Sequence, residues 1–240
     1  STLVKHYVKP VHQGLGGLQT PFTGKDVIVA FVDQGLDYNH PDFKDANGNI
    51  IIPPGTNYND VAQLNFNNTE MKDAMIDAMS YWVYNANIDG FRCDVAGNVP
   101  TDFWQKTIPE LRAVKNIFML AEAWEPELLK DNLFDMAYGW EAHHTINRIA
   151  QGKNTVENWD KLIIDDAKKY ASDDILMNFV DNHDENSWNG TIQSRLGAAE
   201  EAMTALTYVM PGMPLVYSGN EYGLKHSLKF FEKDSIPKTK

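Results

Sequence analysis

Residues 88–122 read IDGFRCDVAGNVPTDFWQKTIPELRAVKNIFMLAE. The stretch opens on a short apolar-rich run, 88–95, that reads as a strand. The segment 101–114 has helical spacing and a Thr at its head. It closes on a second apolar run, 116–122, that ends in an acid. This is a strand, a helix and a strand, with Asp94 and Glu122 where the two strands run out. Working outward, the same alternation continues. Towards the N-terminus, 67–85 repeats Met71, Ala74, Met75, Ala78, Met79 and Trp82 at helical spacing, and Asn67 with Glu70 reads as a capping box. Towards the C-terminus come a short helix at 125–131, a strand at 134–138, helices at 142–150 and 156–170, and a strand at 175–180. One helix over 194–209 and a strand at 214–218 follow. Five strands separated by helices predict an α/β fold with a parallel sheet or barrel.

The chain has 240 residues, 33 acidic and 21 basic side chains and a net charge of −12. At 43% hydrophobic and 22% charged, it has the composition of a globular protein and excludes general disorder. One cysteine, Cys93, excludes a disulfide framework. The acidic balance argues against a nucleic-acid partner. No run of about 18 apolar residues is present, so no membrane span is expected. The N-terminus has neither an initiator Met nor the apolar core of a signal peptide.

Asp94, Glu122 and Asp184 each lie at a strand end. Glu122 follows Asp94 by 28 residues and Asp184 follows Glu122 by 62, which is one and then two strand–helix repeats. In a parallel barrel the C-terminal strand ends build the active site, so three carboxylates would converge in one pocket. Glycoside hydrolysis uses such a set. One carboxylate attacks and a second protonates the leaving oxygen, about 5 Å apart in a retaining enzyme. Arg92 points to the same face as Asp94 and can hold a carboxylate ionised. Taken singly, each acid is as readily a helix cap or a loop residue.

The segments DGFRCDVAG (89–97), MLAEAW (119–124) and FVDNHDEN (179–186) resemble, in order, the strand-four, strand-five and strand-seven signatures of the alpha-amylase family of glycoside hydrolases. PTDFW (100–104) and GMPLVYSGNEYG (212–223) are similar to further parts of that family, and the resemblance covers about residues 40–235. It implies a partial (β/α)8 TIM barrel, strands four to eight. It also implies retaining hydrolysis of α-1,4-glucosidic bonds in starch-like glucans. Carried over by position, Asp94 is the nucleophile, Glu122 the general acid/base, and Asp184 the residue that binds the sugar being cleaved. Arg92 orients the nucleophile, His183 and Asn182 contact the same sugar, and Trp124 is a stacking platform. Trp188 is a further aromatic candidate; Tyr138 and Trp140 read better as core. Gly97 and Asn98 stand where many members have Lys-His. The Asp…Asn-His segment of strand three is not found. The resemblance therefore allows calcium but leaves its usual ligand segment missing. Family habit places such enzymes outside the cytoplasm.

Residues 22–43, FTGKDVIVAFVDQGLDYNHPDF, resemble a different family, the aspartate segment of subtilisin-like serine proteases. Asp33 would be its triad acid, but the His and Ser segments that mechanism requires do not occur. The chain thus reads as a chimera. Residues 1–43 form a protease-like strand and loop, and residues 44–240 a truncated alpha-amylase-like barrel. The expected function is alpha-amylase-type hydrolysis, weakened or absent because barrel strands one to three are missing. The alternatives are a serine endopeptidase remnant and a non-catalytic chimeric fragment.

Overall fold

The computed structural model describes residues 44–52, 55–56 and 62–237. The protease-like strand and loop expected over 1–43, with Asp33, lie outside them. The sheet has five strands in the order β1-β2-β3-β4-β5. These are β1 (Gly90–Cys93), β2 (Phe118–Ala121), β3 (Met136–Tyr138), β4 (Ile175–Asn178) and β5 (Met213–Pro214). The pairs from β2 to β5 are parallel, with Leu120 opposite Met136, Met136 opposite Ile175, and Met177 opposite Met213. Helices α1 (Thr69–Asn85), α2 (Thr101–Val114), α3 (Trp140–Ala150), α4 (Val156–Lys169), α5 (Ile192–Leu196) and α6 (Glu200–Val209) intervene. Neighbouring strands joined by helical crossovers in chain order are what a partial (β/α)8 barrel requires.

The chain divides into two compact units. One comprises the described part of Ile28–Phe91 together with Asn98–Phe118. There α1 buries Ile76 and Val83, and α2 buries Phe103, Trp104, Ile108 and Leu111. The ion pairs Lys72–Asp102 at 2.9 Å and Lys106–Asp73 at 2.5 Å link the two helices. Lys115 closes the strand entry by bonding the backbone carbonyls of Asn87 and Ile88 and the carboxylate of Asp89.

The other unit comprises Arg92–Gly97 and the described part of Met119–Lys240. Its inner cluster is Met136, Tyr138, Met177 and Phe179, with Trp140 and Leu215 packed against them. A second cluster of Ile146, Val180, Ile192 and Leu196 seats α3 and α5, and Trp159 and Leu206 pack on it. Tyr138 and Trp140 therefore pack in the core, as their sequence suggested.

Several local expectations are corrected. The cap of α1 is Asn68, whose side chain accepts the Met71 N–H at 3.2 Å, and not Asn67. Helix α2 begins at Thr101 but its cap is Pro100, with no side-chain cap bond. The segment 125–131 is one 3-10 turn, Pro126–Leu129. The single helix expected over 194–209 is two, α5 and α6, separated at Gly197. Gly197 has φ +53°, which ends the first helix in a positive-φ conformation that glycine adopts without steric cost. Strand β5 is only two residues long. Asn68→Ala is expected to cost about 1 kcal/mol, because it orphans an N-terminal amide of α1. Urea unfolding monitored by far-UV circular dichroism reads it.

Candidate active site

Every group in the carboxylate cluster belongs to the second of these units. Arg92, in β1, sends its guanidinium to three partners. One nitrogen pairs with Asp94, another lies 2.9 Å from Oε1 of Glu122, and Nε donates to the hydroxyl of Tyr138 at 3.2 Å. One cation thus holds two carboxylates together. The other oxygen of Glu122 accepts the Val95 N–H at 2.8 Å, and its backbone carbonyl accepts the Ala96 N–H at 3.1 Å. The turn after Asp94 is therefore tied to the end of β2 through backbone and side chain alike.

That turn is strained. Val95 has φ +43°, a left-handed conformation that is costly for a β-branched residue. Such strain persists only where surrounding bonds hold it, here the two amides that bond Glu122. Gly97 follows, and a Cβ there would come within 2.8 Å of the Glu125 carboxylate.

Asp94 is open to solvent, with a side chain 77% exposed, whereas that of Glu122 is 12% exposed. The difference separates their chemistry. Burial raises the carboxyl of Glu122 above the ordinary range, Arg92 opposes that rise, and the charge and hydrogen bond of Asp94 add to it. A carboxyl raised in this way keeps a proton to give. Burial likewise raises the phenol of Tyr138 against the pull of Arg92, and the charges of Glu122 and Asp184 raise it further. Tyr138 is thus within electrostatic reach of acids from both strand ends.

Asp184 and His183 follow β4, with His183 Nε2 3.4 Å from Asp184 Oδ2 and both side chains partly exposed. A wide π-helical turn, Glu185–Asn189, begins immediately after them; such turns are frequent at functional sites. Asn182 is placed differently. It is buried, and its Oδ1 accepts the Glu185 N–H at 2.7 Å, so it shapes the turn from inside. The side chain of Trp124 is about half exposed, and its carbonyl accepts the Tyr170 hydroxyl at 2.6 Å.

Behind Asp184 lies a buried polar cluster that sequence reading missed. Arg195 of α5 donates to Asp181 at 2.7 Å, to the Val180 carbonyl at 2.8 Å and to Asn147 at 2.9 Å. His143 Nε2 lies 3.1 Å from Glu185. Burial pushes Asp181 up to about 7 against the pull of Arg195. Burial also raises Glu185, but the hydrogen bond and charge of His143, with the charge of Arg195, overcome it and hold that carboxyl low. Asp181 and Glu185 flank the quoted Asn-His-Asp, and His143 and Asn147 stand at helical i,i+4 spacing, so part of the signal was present. Nothing local tied them to Arg195.

Among the described residues, no group of three or more His, Cys, Asp or Glu side chains gathers as a metal site. No helix among them is long and apolar enough to cross a membrane.

The sequence profile of the alpha amylase catalytic domain matches residues 56–238. The chain belongs to the alpha-amylase family. The protease-like segment and Asp33 lie outside the matched residues. Among curated family members, Alpha-amylase MalA of Haloarcula japonica is 27% identical over 165 residues, covering 68% of this chain and 24% of the relative. The Maltogenic alpha-amylase of Bacillus acidopullulyticus is 27% identical over 196 residues, covering 73% and 32%. A solved maltogenic alpha-amylase of Thermotoga neapolitana superposes with a TM-score of 0.71 at 31% identity, covering 83% of this chain and 46% of that one. An alpha-amylase of Lactobacillus plantarum gives 0.71 at 28% identity, with 82% and 50% covered. The chain therefore spans between about a quarter and a half of the length of these relatives.

Proposed function

We propose that the chain carries the catalytic carboxylates of a retaining glycoside hydrolase that cleaves α-1,4-glucosidic bonds in starch-like glucans. The observation that carries this is the single Arg92 guanidinium bonded to both Asp94 and Glu122. Two carboxyls bonded to one guanidinium are neighbours, which supports retention, where the pair stands about 5 Å apart, over the wider gap of inversion. The names of the maltogenic relatives agree with a maltooligosaccharide substrate, and a neutral sugar suits a site built from acids.

In the first step the exposed Asp94 carboxylate attacks the anomeric carbon. The glycosidic C–O bond breaks, its electron pair goes to the leaving oxygen, and Glu122 supplies the proton to that oxygen. In the second, Glu122, now a carboxylate, takes a proton from water. The water oxygen bonds to the anomeric carbon and Asp94 departs. Asp184 and His183 hold the hydroxyls of the ring being cleaved, and Arg92 aims Asp94 through their ion pair. Trp124 offers an exposed ring to a neighbouring sugar. Tyr138 fixes Arg92 from below.

The test is reducing-sugar release from soluble starch by the purified protein, with the anomer first formed read by proton NMR. Release of the α-anomer is expected. A β-anomer would sink retention. No release from protein with a cooperative melt would favour the non-catalytic fragment.

A further inference from the structure

Beyond the carboxylates lies an aromatic cluster that the reaction scheme does not use. Trp188 stands on the Glu185–Asn189 turn that follows Asp184, and Phe230 and Phe231 come from the segment after the Asn220–Tyr222 turn. The Trp188 and Phe230 rings are 5.0 Å apart, Phe230 and Phe231 4.8 Å, and Trp188 and Phe231 6.1 Å. Burial does not explain the cluster, since Trp188 is 59% exposed, Phe230 41% and Phe231 66%. Exposed aromatic rings gathered in one patch mark a contact surface.

The patch is continuous with the candidate site. His183 lies nearly parallel to Phe230, with ring centroids 6.3 Å apart and planes 21° apart. The patch is also held in place. The Leu228 N–H donates to Asn186 Oδ1 at 2.7 Å, and Asn186, which is 1% exposed, donates in turn to Asp181. The charges beside the rings satisfy one another: Lys229 pairs with Glu232 at 2.5 Å, and the Lys229 N–H donates to Asp234. What remains outward is apolar ring surface beside a group that faces substrate.

We propose that Trp188 and Phe230, backed by Phe231, form a stacking platform for a glucosyl unit outside the one Asp184 holds. The proposal rests on the glucan reading above. A pyranose ring has a face of C–H groups, neutral and flat enough to lie on an indole or phenyl ring, and its hydroxyl rim stays in water. Ordered rings provide that contact at little entropic cost, which suits a subsite that must hold a chain and release it. The platform therefore favours longer maltooligosaccharides over maltose.

Calorimetric titration with maltoheptaose and with maltose tests this on the intact 240-residue chain. Trp188→Ala and Phe230→Ala are each expected to weaken maltoheptaose binding about tenfold, a 1.4 kcal/mol change. Maltose binding should stay within twofold. Trp188→Tyr, which keeps a flat ring, should recover most of the loss and so separates stacking from misfolding. Asp184→Asn should weaken both sugars. Maltoheptaose affinity unchanged in both alanine variants, with Asp184→Asn still impaired, overturns the platform and leaves the glucan reading standing. No binding of either sugar by the unsubstituted chain overturns both. Concentration-dependent association in sedimentation that Trp188→Ala abolishes would assign the patch to self-contact and overturn the platform.

Discussion

Glu122→Gln is expected to slow reducing-sugar release from soluble starch by roughly 10²–10⁴-fold, the usual contribution of a positioned general acid. Its carboxyl is raised chiefly by burial, so the unsubstituted protein keeps its acid protonated above the usual carboxylate range. Activity then declines as pH climbs through that raised value. Gln cannot ionise there, so the variant should lose the alkaline limb of the pH–rate profile. An aryl maltoside with an acidic phenol as leaving group needs no proton, so its first step should be spared much of the loss. Asp94→Asn behaves differently, because it removes the attacking oxygen and should abolish turnover of both substrates. Initial rates from pH 4 to 9 on the two substrates distinguish the roles. An alkaline limb unchanged in Glu122→Gln would place the acid elsewhere.

Arg195→Met is expected to destabilise the fold by about 3–5 kcal/mol, the cost of breaking a buried ion pair from one side. Its guanidinium is 6% exposed and the Asp181 side chain 1%. Without it, Asp181 keeps only the long Asn186 contact at 3.4 Å, and Glu185 keeps His143 and Asn189. The pH dependence follows from Asp181, which rises from an ordinary 3.8 to about 7 on folding. Between those values the folded chain holds a proton that the unfolded chain has released. That group's contribution to stability is therefore greatest below about pH 4 and is lost as pH rises towards 7. Removing Arg195 raises Asp181 further, so the variant's deficit should be larger at pH 8 than at pH 5. Urea unfolding at the two pH values reads both effects. A loss below about 1 kcal/mol, equal at both, would mean that Arg195 supports nothing in this cluster.

The alternation of strands and helices was legible because it rests on local periodicity. Apolar runs such as 116–122 and 175–180 and the helical repeat of 71–82 declare themselves in any context. Asp94, Glu122 and Asp184 were legible because each ends such a run. Element ends were less so. Asn67 and Asn68 are chemically alike, and only the backbone angles decide which one caps α1. Gly197 inside an apolar repeat reads as a tolerated interruption until its positive φ shows that the helix stops.

What sequence by itself determined was a class of fold, the family, and which acids stand at strand ends. The tertiary structure decided their inequality. Asp94 and Glu122 are both carboxylates after a strand, but one is open to water and the other lies under Val95 and Arg92. Proton affinity follows from that environment and not from residue type. It also joined Arg195 to Asn147, 48 positions away, and gathered Trp188 with Phe230 beside His183. Local patterns carry no trace of such pairings, because they depend on which chain segments the sheet order brings together.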